Sequence, residues 1–141
     1  MREILFKAKR ADTGEWVEGY YIYHINRTIC PIGDSIKPED EQHVIMQDGF
    51  SDWNMPRDTV HFDIIPETLC QYTGLKDKNG KRIWENDIVY MRSSGLSGHG
   101  IIEYENGCLV VKDGRRGRTY SLFGEWKLRA DGNIFDNPEL L

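Results

Sequence analysis

Two Asn-Gly pairs, Asn79-Gly80 and Asn106-Gly107, each stand between short apolar runs. Asparagine and glycine accept a positive φ at low steric cost, and the tightest antiparallel hairpins need that conformation at both central residues. Each pair therefore predicts a β-hairpin: strands over 69–75 and 81–84 around the first, over 101–104 and 108–111 around the second. A third reversal is signalled by Asp12-Thr13-Gly14-Glu15. It lies between Ile4, Phe6 and Ala8, which alternate as on a half-buried strand, and a strand over 16–25 rich in tyrosine and β-branched residues.

The remaining punctuation extends the pattern. Glu85-Asn86-Asp87 is a corner with Asn86 in the left-handed region, before a central strand over 88–91. Asp113-Gly114 turns into a strand over 119–123. Shorter strands are expected over 29–32 and 43–46, and Val60, Phe62 and Ile64 alternate as another. Residues 47–58 read as a loop, mobile or folded over a neighbour through Phe50 and Trp53. At the C-terminus Asn137 is an N-cap candidate before Pro138. No long 3.6-residue periodicity interrupts the series. The expected class is mainly β with at most a minor helix: an N-terminal β-hairpin region over 1–68 and a small C-terminal barrel over 69–141, or one compact unit.

A chain of 141 residues, 39 % hydrophobic and 29 % charged, is long enough to bury a core without metals or cross-links. The three cysteines, Cys30, Cys70 and Cys108, are odd in number and form no CxxC pair, which fits a reducing cytoplasm. Cys70 and Cys108 lie beside apolar residues and are expected to be buried. No apolar run approaches the ~20 residues of a membrane span. Residues 1–70 carry 7 Lys+Arg against 13 Asp+Glu and residues 71–141 carry 11 against 10, so a net charge of −5 divides into −6 and +1. An acidic whole starts at a disadvantage on phosphate backbones.

The stretch "LCQYTGLKDKNGKRIWENDIV", with "TGEWVEGYYI" before it and "GNIFDNPELL" after it, resembles the YopX family of phage and prophage proteins. One departure is Asn86, where the family pattern usually has glycine; asparagine keeps the positive-φ option. The resemblance implies a phage-encoded protein and carries over no reaction, cofactor or catalytic residue. "ENDIVYM", the glycine-rich loop, "IIEYENGCLVV" and "TYSLF" also resemble, in order, a five-stranded barrel of the Src-homology-3-like type.

Four constellations bear on chemistry. Residues 93–100 invite comparison with a phosphate cradle, but lack the Lys-Ser/Thr ending and lead into a strand, so a flexible connection is expected. His24, His43, His61 and His99 and the cysteines are scattered without zinc-ligand spacing, and no metal or cofactor is expected. His61 and Asp63 share a strand face, as a general-base pair would, but a solvated face explains them more simply. Lys112, Arg115, Arg116 and Arg118 oppose one acid, Asp113, in the only dense basic patch; with Tyr120 and Trp126 for stacking it is the candidate nucleic-acid contact. Against it stands a solvated hairpin tip, or one paired with acids of a neighbouring subunit.

Trp16, Tyr20, Tyr21 and Tyr23 are expected to divide between a core and a subunit interface. The favoured reading is a cytoplasmic, non-enzymatic binding or assembly module, a homo-oligomer with a possible phage or host protein partner. A nucleic-acid accessory role comes second and a small hydrolase last.

Overall fold

The first reversal forms where the sequence puts it: β1 (Phe6–Lys9) pairs antiparallel with β2 (Trp16–Ile25), Ala8 faces Val17, and Gly14 turns the chain at φ 72°. The computed structural model describes residues 1–50, 52–122 and 127–141, and these are mainly β, with eleven strands and three short 3-10 turns. The chain divides into two compact units, Ile4–Leu69, and Cys70–Leu141 together with Met1–Glu3.

In Ile4–Leu69, β3 (Glu41–Asp48) and β4 (Thr59–Asp63) continue the meander, giving the order β4-β3-β2-β1. The ends of β1 and β4 meet at one bridge, Arg10 to Ile64, and the Ala11 N–H donates to the Asp63 carbonyl at 2.8 Å. The curled sheet packs Ala8, Val17, Ile45 and Ile64 together, with Phe6, Tyr21, Phe62 and Leu69 closing over them. Residues 29–32 are not the expected strand. The Arg27 guanidinium reaches Asp34 at 2.8 Å and Asp40 at 2.7 Å, and the Cys30 N–H donates to Asp34, so side chains fold this segment as a loop. Those bonds, Arg27 first, hold the Asp34 carboxyl far below the usual carboxylate range.

In the second unit β5 (Cys70–Lys76) pairs with β6 (Arg82–Trp84). Then β7 (Asp87–Ser93), β8 (Leu96–Glu105), β9 (Cys108–Asp113), β10 (Arg118–Ser121) and β11 (Lys127–Asn133) form a five-stranded antiparallel sheet in the order β10-β9-β8-β7-β11. The run expected to be central, β7, lies inside it, and Val89 and Met91 pack against Ile83, Ile102, Val111 and Leu128. Asn86 takes φ 65° at its corner, and Pro138–Leu140 makes the short terminal turn.

Several expectations are corrected. No closed barrel forms among the described residues: β10 and β11 are opposite edges of the sheet. The outer edge of β11 is taken instead by the β5–β6 turn, where the Lys78 N–H donates to the Leu128 carbonyl at 3.1 Å and Asp77 accepts the Ala130 N–H at 3.1 Å. The "flexible connection" over 93–100 is mostly β8. Ser94-Gly95 makes a tight turn, and Gly100 lies where a Cβ would strike Val111 and the Lys112 carbonyl, so packing explains that glycine. Cys108 is exposed beside its hairpin turn, whereas Cys70 is buried. Ile4 is exposed and precedes β1. The expected strand over 119–123 forms as β10, and its Phe123 lies outside the described residues.

Candidate functional site

The β9–β10 turn is held by one carboxylate. Asp113 Oδ1 accepts the N–H groups of Arg115 and Arg116 at 3.0 and 3.1 Å, which closes the turn before Gly117. Internal partners occupy half of the basic patch. Lys112 Nζ lies 2.7 Å from Glu103 and 3.6 Å from Glu105, and the Glu103 hydrogen bond raises its pKa. Arg116 reaches Asp113 at 3.3 Å and donates to the Ser97 carbonyl at 3.1 Å. Arg115 and Arg118 have no carboxylate partner among the described residues. Tyr120 packs against the apolar core, which withdraws its ring from stacking, and Trp126 lies outside the described residues.

Beside this turn Arg115 meets a feature that the sequence does not announce. A cavity of about 260 Å³ is lined by His99, Ile101, Gly114, Arg115 and Leu141. The imidazole of His99 is fixed by Asp131, with Nε2 to Oδ2 at 2.8 Å, and it meets the Tyr90 ring edge to face with the ring centroids 5.3 Å apart. Asp131 reaches it because the β11–β7 register slips between Ala130 and Gly132, leaving one extra residue that the bulge turns toward the neighbouring face. Arg129 donates to both Asp131 oxygens, at 2.6 and 2.9 Å, and its guanidinium covers the Tyr90 ring. The result is an oriented imidazole on an apolar recess with a guanidinium at its rim. None of the lining residues carries a hydroxyl or thiol, and the polar side chains of the recess are the His99 imidazole and the Arg115 guanidinium.

The other candidates lie in Ile4–Leu69. His61 and Asp63 share the exposed strand β4; Asp63 accepts from Gln42 at 3.3 Å and lines an open hollow with Glu41 and His43, whereas His61 does not line it. His43 Nδ1 is 2.6 Å from the Tyr21 hydroxyl, and Tyr23 donates to Glu41 at 2.9 Å. Tyr21 packs on the core while Tyr20 and Tyr23 are exposed. Among the described residues no group of three or more His, Cys, Asp or Glu is placed to hold a metal ion. Nothing in the sequence could pair His99 with Asp131, 32 positions away; the small residues flanking Asp131 are the only trace of the bulge.

Comparisons with known proteins agree on the fold. The profile of the YopX protein family matches residues 5–141. The solved structure of protein yopX from Bacillus subtilis is similar over 100 % of this chain and 99 % of its own, at 15 % identity and TM-score 0.53. Protein EF1440 from Enterococcus faecalis is similar over the same shares, at 22 % identity and TM-score 0.52. At such identities the likeness establishes the fold alone. No curated protein matches the chain. By the family profile, which covers nearly all of its length, this chain belongs to the YopX family.

Proposed function

We propose that the chain is a phage-derived, cytoplasmic, non-enzymatic binding or assembly module that self-associates. The observation that carries this reading is the surplus of exposed large apolar side chains in Ile4–Leu69: Tyr20, Tyr23, Phe50, Trp53, Met55 and Val60. Apolar surface concentrated in one unit marks an interaction site more often than a solvated face, and aromatic residues dominate interface energetics. The free thiols are consistent with a reducing compartment, and among the described residues no helix is long and apolar enough to cross a membrane. Sedimentation at micromolar concentration tests the reading: it expects a mass that is a multiple of 16.4 kDa, and a monomer at every concentration ends it.

Nucleic-acid contact through Lys112, Arg115, Arg116 and Arg118 is the second reading. Arg115 and Arg118 favour it; the acids beside Lys112 and Arg116 oppose it. Retention on nucleic acid that falls steeply with salt and disappears in an Arg115→Ala/Arg116→Ala variant is its signature.

A further inference from the structure

The β3–β4 hairpin ends in a tip of unusual character. Its base is tied by the Gly49 N–H to the Asp58 carbonyl at 2.8 Å and by Arg57 to Asp48 at 2.8 Å. Beyond that base Trp53 is 96 % exposed and Phe50 93 % exposed, so neither ring packs on its own unit. With Arg57 committed to Asp48, Asp52 and Asp58 leave the tip acidic. An acidic aromatic tip is repelled by anionic lipid and by nucleic acid, which leaves a protein surface that is apolar and basic.

The other unit carries such a surface. The recess of about 260 Å³ has Ile101 and Leu141 as apolar walls, the ring of His99 held by Asp131, and Arg115 at its rim. It is smaller than the roughly 300–1,000 Å³ of pockets that enclose drug-sized ligands, and a single large side chain suits it better. Arg115 lacks a carboxylate partner among the described residues.

We infer that the occupant is a second copy of this chain: Trp53 of one copy enters the His99–Ile101–Arg115–Leu141 recess of the next, while Asp52 and Asp58 face Arg115. Tip and recess are built from different residues, so the contact is heterologous and propagates into a ring or a filament. The inference rests on the self-association proposed above and names its two halves.

The test is sedimentation of Trp53→Ser, of Arg115→Asp, and of their mixture, with circular dichroism confirming that each variant is folded. Both substitutions fall at turn or loop positions outside the strands. Each variant alone is expected to weaken association at least about thirtyfold, the loss of one hot-spot anchor. The mixture is the decisive arm. The serine variant keeps its recess and the aspartate variant keeps its tip, so together they form a one-to-one dimer and nothing larger. Variants that assemble like the parent, or a mixture that stays monomeric, overturn this contact while leaving self-association standing. A parent protein that is itself monomeric overturns both. Should Arg115→Asp assemble normally yet lose retention on nucleic acid, Arg115 serves phosphate and the contact is wrong.

Discussion

The Asp77 carboxylate accepts three backbone N–H groups, from Asn79 at 2.8 Å, Lys81 at 2.9 Å and Ala130 at 3.1 Å. Burial pushes its pKa up, but the bonds from Ala130, Lys81 and Asn79 outweigh that and hold it below the ordinary value. Asp77→Ala strips all three donors of their partner and is expected to cost about 2–4 kcal/mol, read as a lower urea midpoint. Asp77→Asn keeps one oxygen for the turn and loses the Ala130 bond, so it should fall between. Equal midpoints for parent and alanine variant would remove Asp77 from this role. Asp131 makes a separate prediction in pH. Arg129 lowers its carboxyl most, partial burial opposes, and His99 adds to the lowering, leaving it at about 2 against an ordinary 3.8. A carboxyl depressed in the folded state stabilises above its unfolded value and loses that contribution as pH falls toward the folded one. Thermal midpoints of the parent should therefore fall from about pH 4 down to about pH 2, and Asp131→Asn should flatten that stretch.

The hairpins were the part of the fold most readable from sequence, because a hairpin is decided by residues that touch one another along the chain. Asn106 and Gly107 take φ of 49° and 79°, the pair of left-handed residues expected of a two-residue turn. Asn79-Gly80 reverses the chain differently: Gly80 alone is left-handed, since Asp77 holds the N–H groups of Asn79 and Lys81 and makes a longer loop. What escaped the sequence reading depends on partners distant in the chain. Glycines over 93–100 read as freedom, yet Gly100 answers to Val111 and Lys112 on the next strand. The Arg27 clamp and the His99–Asp131 pair leave no periodic trace. The basic patch was visible as composition, but the acids that occupy Lys112 lie on β8, out of register with any local motif. Gly19 makes the packing point testable. It sits on β2 with no positive φ, and a Cβ there would strike the Met46 carbonyl oxygen of β3. Gly19→Ala should cost about 1–3 kcal/mol through forced strand separation. Gly14→Ala, at φ 72° with open space around it, should cost about 1 kcal/mol or slightly more. A reversed order in urea midpoints would mean that β2 and β3 part more easily than their ladder implies.

Charge is divided between the two units as unevenly as apolar surface is. Ile4–Leu69 carries 6 Lys+Arg against 12 Asp+Glu, and the remaining residues carry 12 against 11. Two copies meeting through their acidic units repel, and added salt screens that repulsion, so such an assembly tightens as salt rises. Copies meeting acidic unit to basic turn attract, and added salt loosens them. The sign of the salt dependence therefore separates a symmetric contact through the exposed tyrosines and tips from the head-to-tail contact through Trp53 and Arg115. An exposed ion pair is worth up to about 1 kcal/mol, so raising salt from about 0.05 M to about 0.5 M should weaken a head-to-tail assembly by up to about fivefold. Burial of the Trp53 ring is insensitive to salt, and association should persist at the upper limit. Sedimentation equilibrium across that range measures the effect directly. A dissociation constant that falls with salt places the interface within the acidic unit; one that rises by thousands of fold makes charge, and not the indole, the principal attraction.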